Sequence, residues 1–329
     1  MSILVTGGAG FIGGHTAQAL CDQGQDVAII DNLQSGYLAA IPQKARFYQG
    51  DIRDEAFLDK VFHAEKPTAV LHFAACSQVG ESMAKPLLYY DNNLGGTRLL
   101  LQAMRKHEVD SLVFSSSAAV YGDAEQIPVA EDAPTNPTSC YGETKLAMEK
   151  MMQWTARAYG LRYVALRYFN ACGAHPNGKR GEYQEIETHL IPSILQVPLG
   201  KRQEIEIFGG DYPTPDGTCI RDYIHVCDLA EAHLLALAYL QQGGKSDVFN
   251  LGNGTGFSVQ QVIACARQIT GHPIPACYVA RRPGDIAKLI ASSAKAKAIL
   301  GWTPKYSSLE TILSTTWQWQ SAHPNGYIR

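Results

Sequence analysis

No stretch of the 329-residue chain reaches the ~18 consecutive apolar residues that a membrane-spanning helix needs. No membrane partner is expected. Neither sign of charge is in large excess: 28 Lys and Arg stand against 31 Asp and Glu, for a formal net charge of −3. That balance excludes the basic footprint of a general nucleic-acid binder. The eight cysteines contain no Cys-x-x-Cys pair, so no zinc or other metal site is expected. The opening run Met1-Ser2-Ile3-Leu4-Val5-Thr6 leads straight into a strand pattern, without the basic and apolar segments of a secretion signal. The cysteines are therefore expected to be reduced core residues of a cytoplasmic protein.

Hydrophobic residues make up 46% of the chain and charged residues 18%, which suits a folded domain rather than a disordered one. Through the first half, short apolar runs (Ile3–Val5, Val27–Ile30, Ala69–Phe73, Leu112–Phe114, Val164–Leu166) alternate with stretches of helical length, such as Leu87–Lys106 and Tyr141–Tyr159. Alternation of this kind predicts an α/β fold, a doubly wound parallel sheet of the Rossmann type. After about Asn170 glycine and proline become frequent, and helical patterns recur at Asp228–Leu240, Ser258–Thr270 and Leu309–Gln320. There is no repeat and no low-complexity linker. A smaller α/β substrate-binding portion, residues 171–329, is expected to interleave with the dinucleotide domain, residues 1–170.

Residues 6–13 read Thr-Gly-Gly-Ala-Gly-Phe-Ile-Gly. Gly7, Gly10 and Gly13 fall between a strand and a helix. Glycine there allows a tight turn and lets backbone N–H groups approach a pyrophosphate at the positive end of the helix. Asp31 ends the second strand, where a carboxylate accepts hydrogen bonds from ribose hydroxyls and repels a 2′-phosphate. No arginine follows it directly (Asn32-Leu33-Gln34). NAD is expected rather than NADP, with Asp51 as a candidate adenine neighbour.

Tyr141 and Lys145 are four apart at the start of a helical pattern, and so share a face. A phenol is a poor base at neutral pH, but a nearby ammonium and a positively charged nicotinamide favour its phenolate. Tyr141 can then exchange a proton with a sugar hydroxyl. Ser115-Ser116-Ser117 ends a strand, where ligands of parallel sheets sit. Ser117 is placed to align the same hydroxyl.

These residues resemble the extended short-chain dehydrogenase/reductases, and the second half narrows the resemblance to the UDP-glucose 4-epimerases. It covers essentially the whole chain. Besides the segments above, it is carried by His72-Phe73-Ala74-Ala75, Tyr89-Tyr90-Asp91-Asn92-Asn93 and Leu166-Arg167-Tyr168-Phe169-Asn170. Asp211-Tyr212-Pro213-Thr214, Arg221-Asp222-Tyr223-Ile224-His225-Val226, Arg281-Arg282-Pro283-Gly284-Asp285 and His323-Pro324-Asn325-Gly326-Tyr327 complete it. The resemblance implies that Phe11, Ile12, Asp31, Asn32, Asp51, Ile52, Phe73, Ala74, Ala75, Asn92, Ser115 and Phe169 line an NAD site with the glycines, Tyr141 and Lys145. It implies Ser117, Tyr141 and Lys145 as catalytic. Asn170, His189, Leu190, Phe208, Arg221, Arg282, Asp285 and Leu289, with Ser117 and Tyr141, would hold a UDP-sugar. Paired arginines suit a diphosphate. It also implies a homodimer formed through Leu87–Lys106 and Glu143–Tyr159.

Three positions depart from the pattern. Ser77 stands where many members have lysine, His189 where they have asparagine, and Leu289 where some have tyrosine and others a smaller residue that admits an N-acetyl group. UDP-N-acetylglucosamine and UDP-N-acetylgalactosamine are therefore candidate substrates beside UDP-glucose and UDP-galactose. A 4,6-dehydratase is disfavoured because Ala118 and Ala119 stand where acidic groups would expel water. A uronate epimerase and a non-catalytic NAD(H)-sensing regulator remain as alternatives, and the Tyr–Lys pair argues against the regulator.

Overall fold

The computed structural model describes residues 2–282 and 285–327; Met1 and the Pro283-Gly284 of the sequence motif lie outside them. Six strands of the first half are β1 (Ser2–Thr6), β2 (Asp26–Asp31), β3 (Arg46–Gln49), β4 (Ala69–His72), β5 (Ser111–Ser117) and β6 (Arg162–Tyr168). With Asp247–Leu251 they form one sheet, in the order Asp247–Leu251, β6, β5, β4, β1, β2, β3. Every pair is parallel. The strand order turns back between β4 and β1, which opens a crevice at the carboxyl ends of the strands. β1, β4 and β5 are buried along their whole length, as parallel strands covered on both faces must be.

Apolar side chains alternate across the sheet and feed two cores. Ile3, Val5, Ile29 and Leu71 face the helices Phe11–Asp22 and Val226–Gln241. Leu4, Ile30, Val70 and Phe114 face Glu55–Glu65, Gly96–Lys106 and Cys140–Tyr159. The chain thus returns to the first unit after residue 170: both Val226–Gln241 and the strand Asp247–Leu251 belong to its layers. A third core, around Ile191, Ile207, Tyr223, Val262 and Ile312, lies in the second portion.

The expected helix Leu87–Lys106 forms, with a π-helical turn inside it. Pro86–Tyr89 is followed by π-helical Tyr90–Gly95, and only then by Gly96–Lys106. The wider turn coincides with Asn92 and Asn93, both buried. Asn93 is held in place by Cys76 N–H and Cys76 C=O on one side and Thr144 on the other. Three bonds to two residues outside this helix, Cys76 and Thr144, reward the departure from α geometry.

Behind the Cys140–Tyr159 helix lies a buried polar network. Arg167 on β6 donates to Glu149 at 2.9 and 2.6 Å and to Tyr121 at 2.9 Å. Ser116 donates to Glu149 at 2.5 Å, and Tyr121 to Asn250 at 2.7 Å. The pair locks the helix to the sheet because a buried guanidinium has no other anion to satisfy it. Glu149→Ala leaves Arg167 buried and unpaired and is expected to lower unfolding free energy by about 3–5 kcal/mol, measured by urea denaturation; a loss under about 1 kcal/mol would mean that the pair does not anchor the helix.

Candidate active site

Sterics shape the glycine turn. Gly7 has φ +75°, and a Cβ there would lie 2.5 Å from the Ala74 nitrogen. A Cβ on Gly13 would lie 2.2 Å from the Gly7 carbonyl oxygen. Only glycine lets the helix Phe11–Asp22 start this close to β1 and to the Phe73–Ala74 backbone. Gly10 is the N-cap of that helix, and no side chain caps it. The first turn therefore keeps N–H groups for an anion.

Asp31 is buried at the end of β2. Its carboxylate accepts from Ala9 N–H at 3.0 Å and Leu33 N–H at 2.8 Å. Burial raises its pKa, and these two bonds oppose that. A carboxylate offers about four lone-pair sites, so it can tie the glycine loop to the strand end and still accept from ribose hydroxyls. Asp51 is less solitary than its place after β3 suggested. Arg53 pairs with it at 2.8 Å and Asn32 donates to it at 3.0 Å, and this guanidinium holds its carboxyl well below the usual range. Ile52 is buried against Gly96. Phe73 and Ala74 follow β4 on the floor of the crevice, the Phe73 ring meeting His233 at a tilt of 39° with ring centres 4.6 Å apart. Asn92 donates to Asn93 at 3.0 Å. The donors and acceptors present thus suit a dinucleotide: free helix N–H groups for the pyrophosphate, and a partly committed carboxylate for a ribose.

The catalytic candidates converge beside them. Lys145 is buried and donates to the Ser115 carbonyl at 2.8 Å; its Nζ lies 5.8 Å from the Tyr141 ring centre. Ser115 also hydrogen-bonds to Tyr168. Ser117 lies close enough to the Tyr141 hydroxyl to favour its phenolate and accepts from Ala119 N–H at 3.1 Å. Burial lowers the Lys145 pKa to about 7, with Glu149 and then Cys76 opposing it. For Tyr141, burial raises the pKa and the Ser117 bond lowers it. Burial, and not the lysine, thus dominates the phenol in the protein alone.

Across the crevice the substrate candidates form a second group. Arg221 donates to Ile286 C=O at 2.7 Å and lies 3.5 Å from Asp285. The Arg282 guanidinium sits 3.6 Å over the Phe208 ring. Asn170 donates to Asp222 C=O at 2.8 Å. Leu289 pairs in register with Arg221 and, with Phe169, packs on Ala118, Tyr121 and Leu146, beside the strand end that carries Ser117. Leu190 opens the helix Leu190–Leu195 at the edge of the third core. His189 stands before it, bound to Glu182 at 2.6 Å. Ser77 is exposed, and no bond of its side chain is described.

Sequence reasoning gave no role to several organising residues. Asp222 lay inside a quoted motif, yet its carboxylate accepts from Asn253, Gly254 and Ala291 N–H groups. His72 bridges Thr6 at 2.7 Å and Thr97 at 2.9 Å, and burial lowers its pKa to about 3, so it acts as a neutral strut. Glu149 did leave a signal: it lies four residues beyond Lys145, on the face that Tyr141 and Lys145 share.

Comparison with known proteins agrees with this arrangement. Residues 3–252 match the model of the NAD dependent epimerase/dehydratase family. A UDP-glucose 4-epimerase of Halalkalibacterium halodurans is 58% identical over 327 residues, covering 99% of this chain and 98% of the relative. A crystal structure of a UDP-glucose 4-epimerase superposes with a TM-score of 0.99 at 54% identity, covering 100% of both chains. The Bifidobacterium longum UDP-glucose 4-epimerase in complex with NAD+ and UDP superposes at 0.93 with 41% identity, covering 99% of this chain and 100% of that one. The chain is a member of the NAD dependent epimerase/dehydratase family.

Proposed function

We propose that this enzyme is a UDP-glucose 4-epimerase, interconverting UDP-glucose and UDP-galactose by transient oxidation at C4. The carrying observation is the meeting of Tyr141, Lys145 and Ser117 at the carboxyl end of β5, next to the glycine turn. Similarity to UDP-glucose 4-epimerases over nearly the whole chain supports the substrate, and the cofactor is NAD. Gly7, Gly10, Gly13, Phe11, Ile12, Asp31, Asn32, Asp51, Ile52, Phe73 to Ala75, Asn92, Ser115 and Phe169 would hold it. Held there, NAD would supply the hydride acceptor and donor for C4.

The chain's own groups do the rest. Ser117 orients the C4 hydroxyl through the bond network it shares with Tyr141. Tyr141 takes the hydroxyl proton as the carbonyl forms and gives one back when the sugar is reduced. Lys145, fixed on the Ser115 carbonyl, keeps positive charge near the phenol. Arg221, Arg282 and Asp285, with Asn170, His189, Leu190 and Phe208, anchor the UDP end, while the sugar meets the less polar wall of Phe169 and Leu289. Strong contacts at the nucleotide and weak ones at the sugar allow the keto sugar to turn without leaving.

Leu289 is shorter than tyrosine and makes no hydrogen bond with its side chain, which supports acceptance of N-acetylated UDP-sugars as well. For assembly, Val79, Met83, Leu87 and Tyr90 are exposed along segments packed against Cys140–Tyr159, itself with Trp154 and Tyr159 exposed. A second copy burying these faces makes a homodimer. The described residues include no helix long and apolar enough to cross a membrane, and all eight cysteines are free thiols, which supports a cytoplasmic setting. The division into a dinucleotide portion up to residue 170 and a UDP-sugar portion beyond it follows the placement of these groups, with Val226–Leu251 crossing back.

Purified enzyme is expected to convert UDP-galactose to UDP-glucose without added NAD, and Tyr141→Phe to lose about 10²–10⁴-fold in kcat; near-normal turnover by the variant excludes Tyr141 as the acid–base group. Leu289→Tyr is expected to depress turnover of UDP-N-acetylglucosamine by about 10-fold or more while sparing UDP-glucose. If both proteins exclude the acetylated sugar equally, position 289 does not set the limit. Leu87→Glu places a charge in the exposed apolar face, and sedimentation velocity should show monomer in place of dimer. A wild-type monomer would rule out the assembly.

A further inference from the structure

The loop leading into the helix Leu190–Leu195 brings together two buried carboxylates and one histidine. The Glu182 and Glu187 side chains are 5% and 4% exposed, whereas that of His189 is 52% exposed. His189 Nδ1 lies 2.6 Å from Glu182 Oε1 and 4.0 Å from Glu187 Oε1. His189 N–H donates to Glu187 Oε1 at 2.8 Å, which fixes the backbone as Glu182 fixes the ring. Gln184 Nε2 donates to Glu182 at 3.2 Å, and Gln184 Oε1 accepts from Gln78 at 3.2 Å. Gln78 belongs to the loop after β4, so this chain of bonds spans from the cofactor side of the crevice to His189.

Buried carboxylates need a cation or a proton. Lys201 and His323 line the small cavity behind the two glutamates, but Lys201 donates to the Pro324 carbonyl. The His189 imidazole is the group in contact with Glu182, and its Nδ1 also lies 3.2 Å from Gln184 Nε2. With Nδ1 committed to Glu182, Nε2 is the remaining donor of an imidazolium, and no bond to it is described.

We propose that Glu182 is a positioning residue for nucleotide binding: it clamps His189 through Nδ1 as an imidazolium and leaves Nε2–H to donate to the diphosphate, as a third cation beside Arg221 and Arg282. This rests on the UDP-sugar reading of the site. The clamp gives His189 a directed, charge-assisted bond that a neutral imidazole does not match. The electrostatics agree in sign. Burial lowers the His189 pKa, but the bond and charge of Glu182, with the charge of Glu187, raise it to about 9. Glu187 itself is pushed up to about 7, by burial first and the Glu182 charge second.

The test is the pH dependence of KM and kcat for UDP-galactose between about pH 6 and 8.5 on NAD-loaded enzyme, where a free histidine near pKa ~6.5 changes charge. Wild-type KM should stay flat, because His189 keeps its proton until pH rises through about 9. In Glu182→Gln the pKa falls, so the imidazolium is present at the acidic end and lost at the basic end. KM should then match wild type near pH 6 and rise by about 10-fold at pH 8.5 with little change in kcat. Adding His189→Asn should make the raised KM independent of pH. A KM in Glu182→Gln that is raised equally at all pH values, or that stays flat at the wild-type level, overturns the proposal. A second reading needs no variant of Glu182. In ¹⁵N-histidine spectra of the wild-type enzyme, with His189→Asn identifying the signal, both His189 nitrogens should be protonated at pH 8 and Nε2 should shift on adding UDP. A neutral ring, or an Nε2 that ignores UDP, overturns the proposal even if the protein turns over no UDP-galactose, so this failure is separable from failure of the epimerase reading.

Discussion

The carboxylate of Asp222 joins the two halves of the site. It accepts three backbone N–H bonds, from Asn253, Gly254 and Ala291, and its own backbone carries Asn170 on one side and Leu289 on the other. Asn170 continues directly from the β6 segment whose Tyr168 bonds to Ser115, so Asp222, fixed by its buried carboxylate, sets Asn170 and Leu289 in register with β5 through its backbone. Burial raises the Asp222 pKa, and the three N–H donors oppose that shift. A side chain in this position orders loops that have little regular structure of their own. The strands Ile220–Arg221 and Lys288–Leu289 are two residues each, too short to hold a register alone.

The two sides of the crevice obey different physics. On the dinucleotide side, fit comes from the absence of side chains: Gly7 and Gly13 let backbone lie against backbone, and the helix end supplies donors without any side-chain charge. On the nucleotide-sugar side, charge is explicit and local, with Arg221, Arg282 and His189 on short strands and loops. Between them Lys145 and Tyr141 sit where burial works against both of their charged forms. Charged residues in such a place are strongly responsive to what binds beside them.

Much of this was legible in the chain. The alternation of apolar runs with helical patterns gave the parallel sheet because buried strands show up as short, continuous apolar segments. The glycine spacing and the Tyr141–Lys145 interval are local signals, each fixed by one turn of backbone. The π-helical turn inside Leu87–Lys106 leaves no local signal, because it depends on Asn93 reaching Cys76 and Thr144, partners 17 and 51 residues away. Asp222, His72 and Glu149 likewise take their meaning from distant contacts. An isolated acid in a sequence does not reveal whether it faces water, as Asp91 largely does, or three amides in the interior.

The same division explains how one pocket can serve two epimers. A sugar that must present either face to the same hydride acceptor cannot be held by a dense set of directional bonds, since bonds made to one orientation are lost in the other. Binding energy therefore has to reside at the end that does not turn. On the proposed assignment of the site, the guanidinium groups with Phe208 and Asp285 hold the end that stays still, and the apolar surface of Leu289 and Phe169, which has no preferred orientation, lies where the sugar turns.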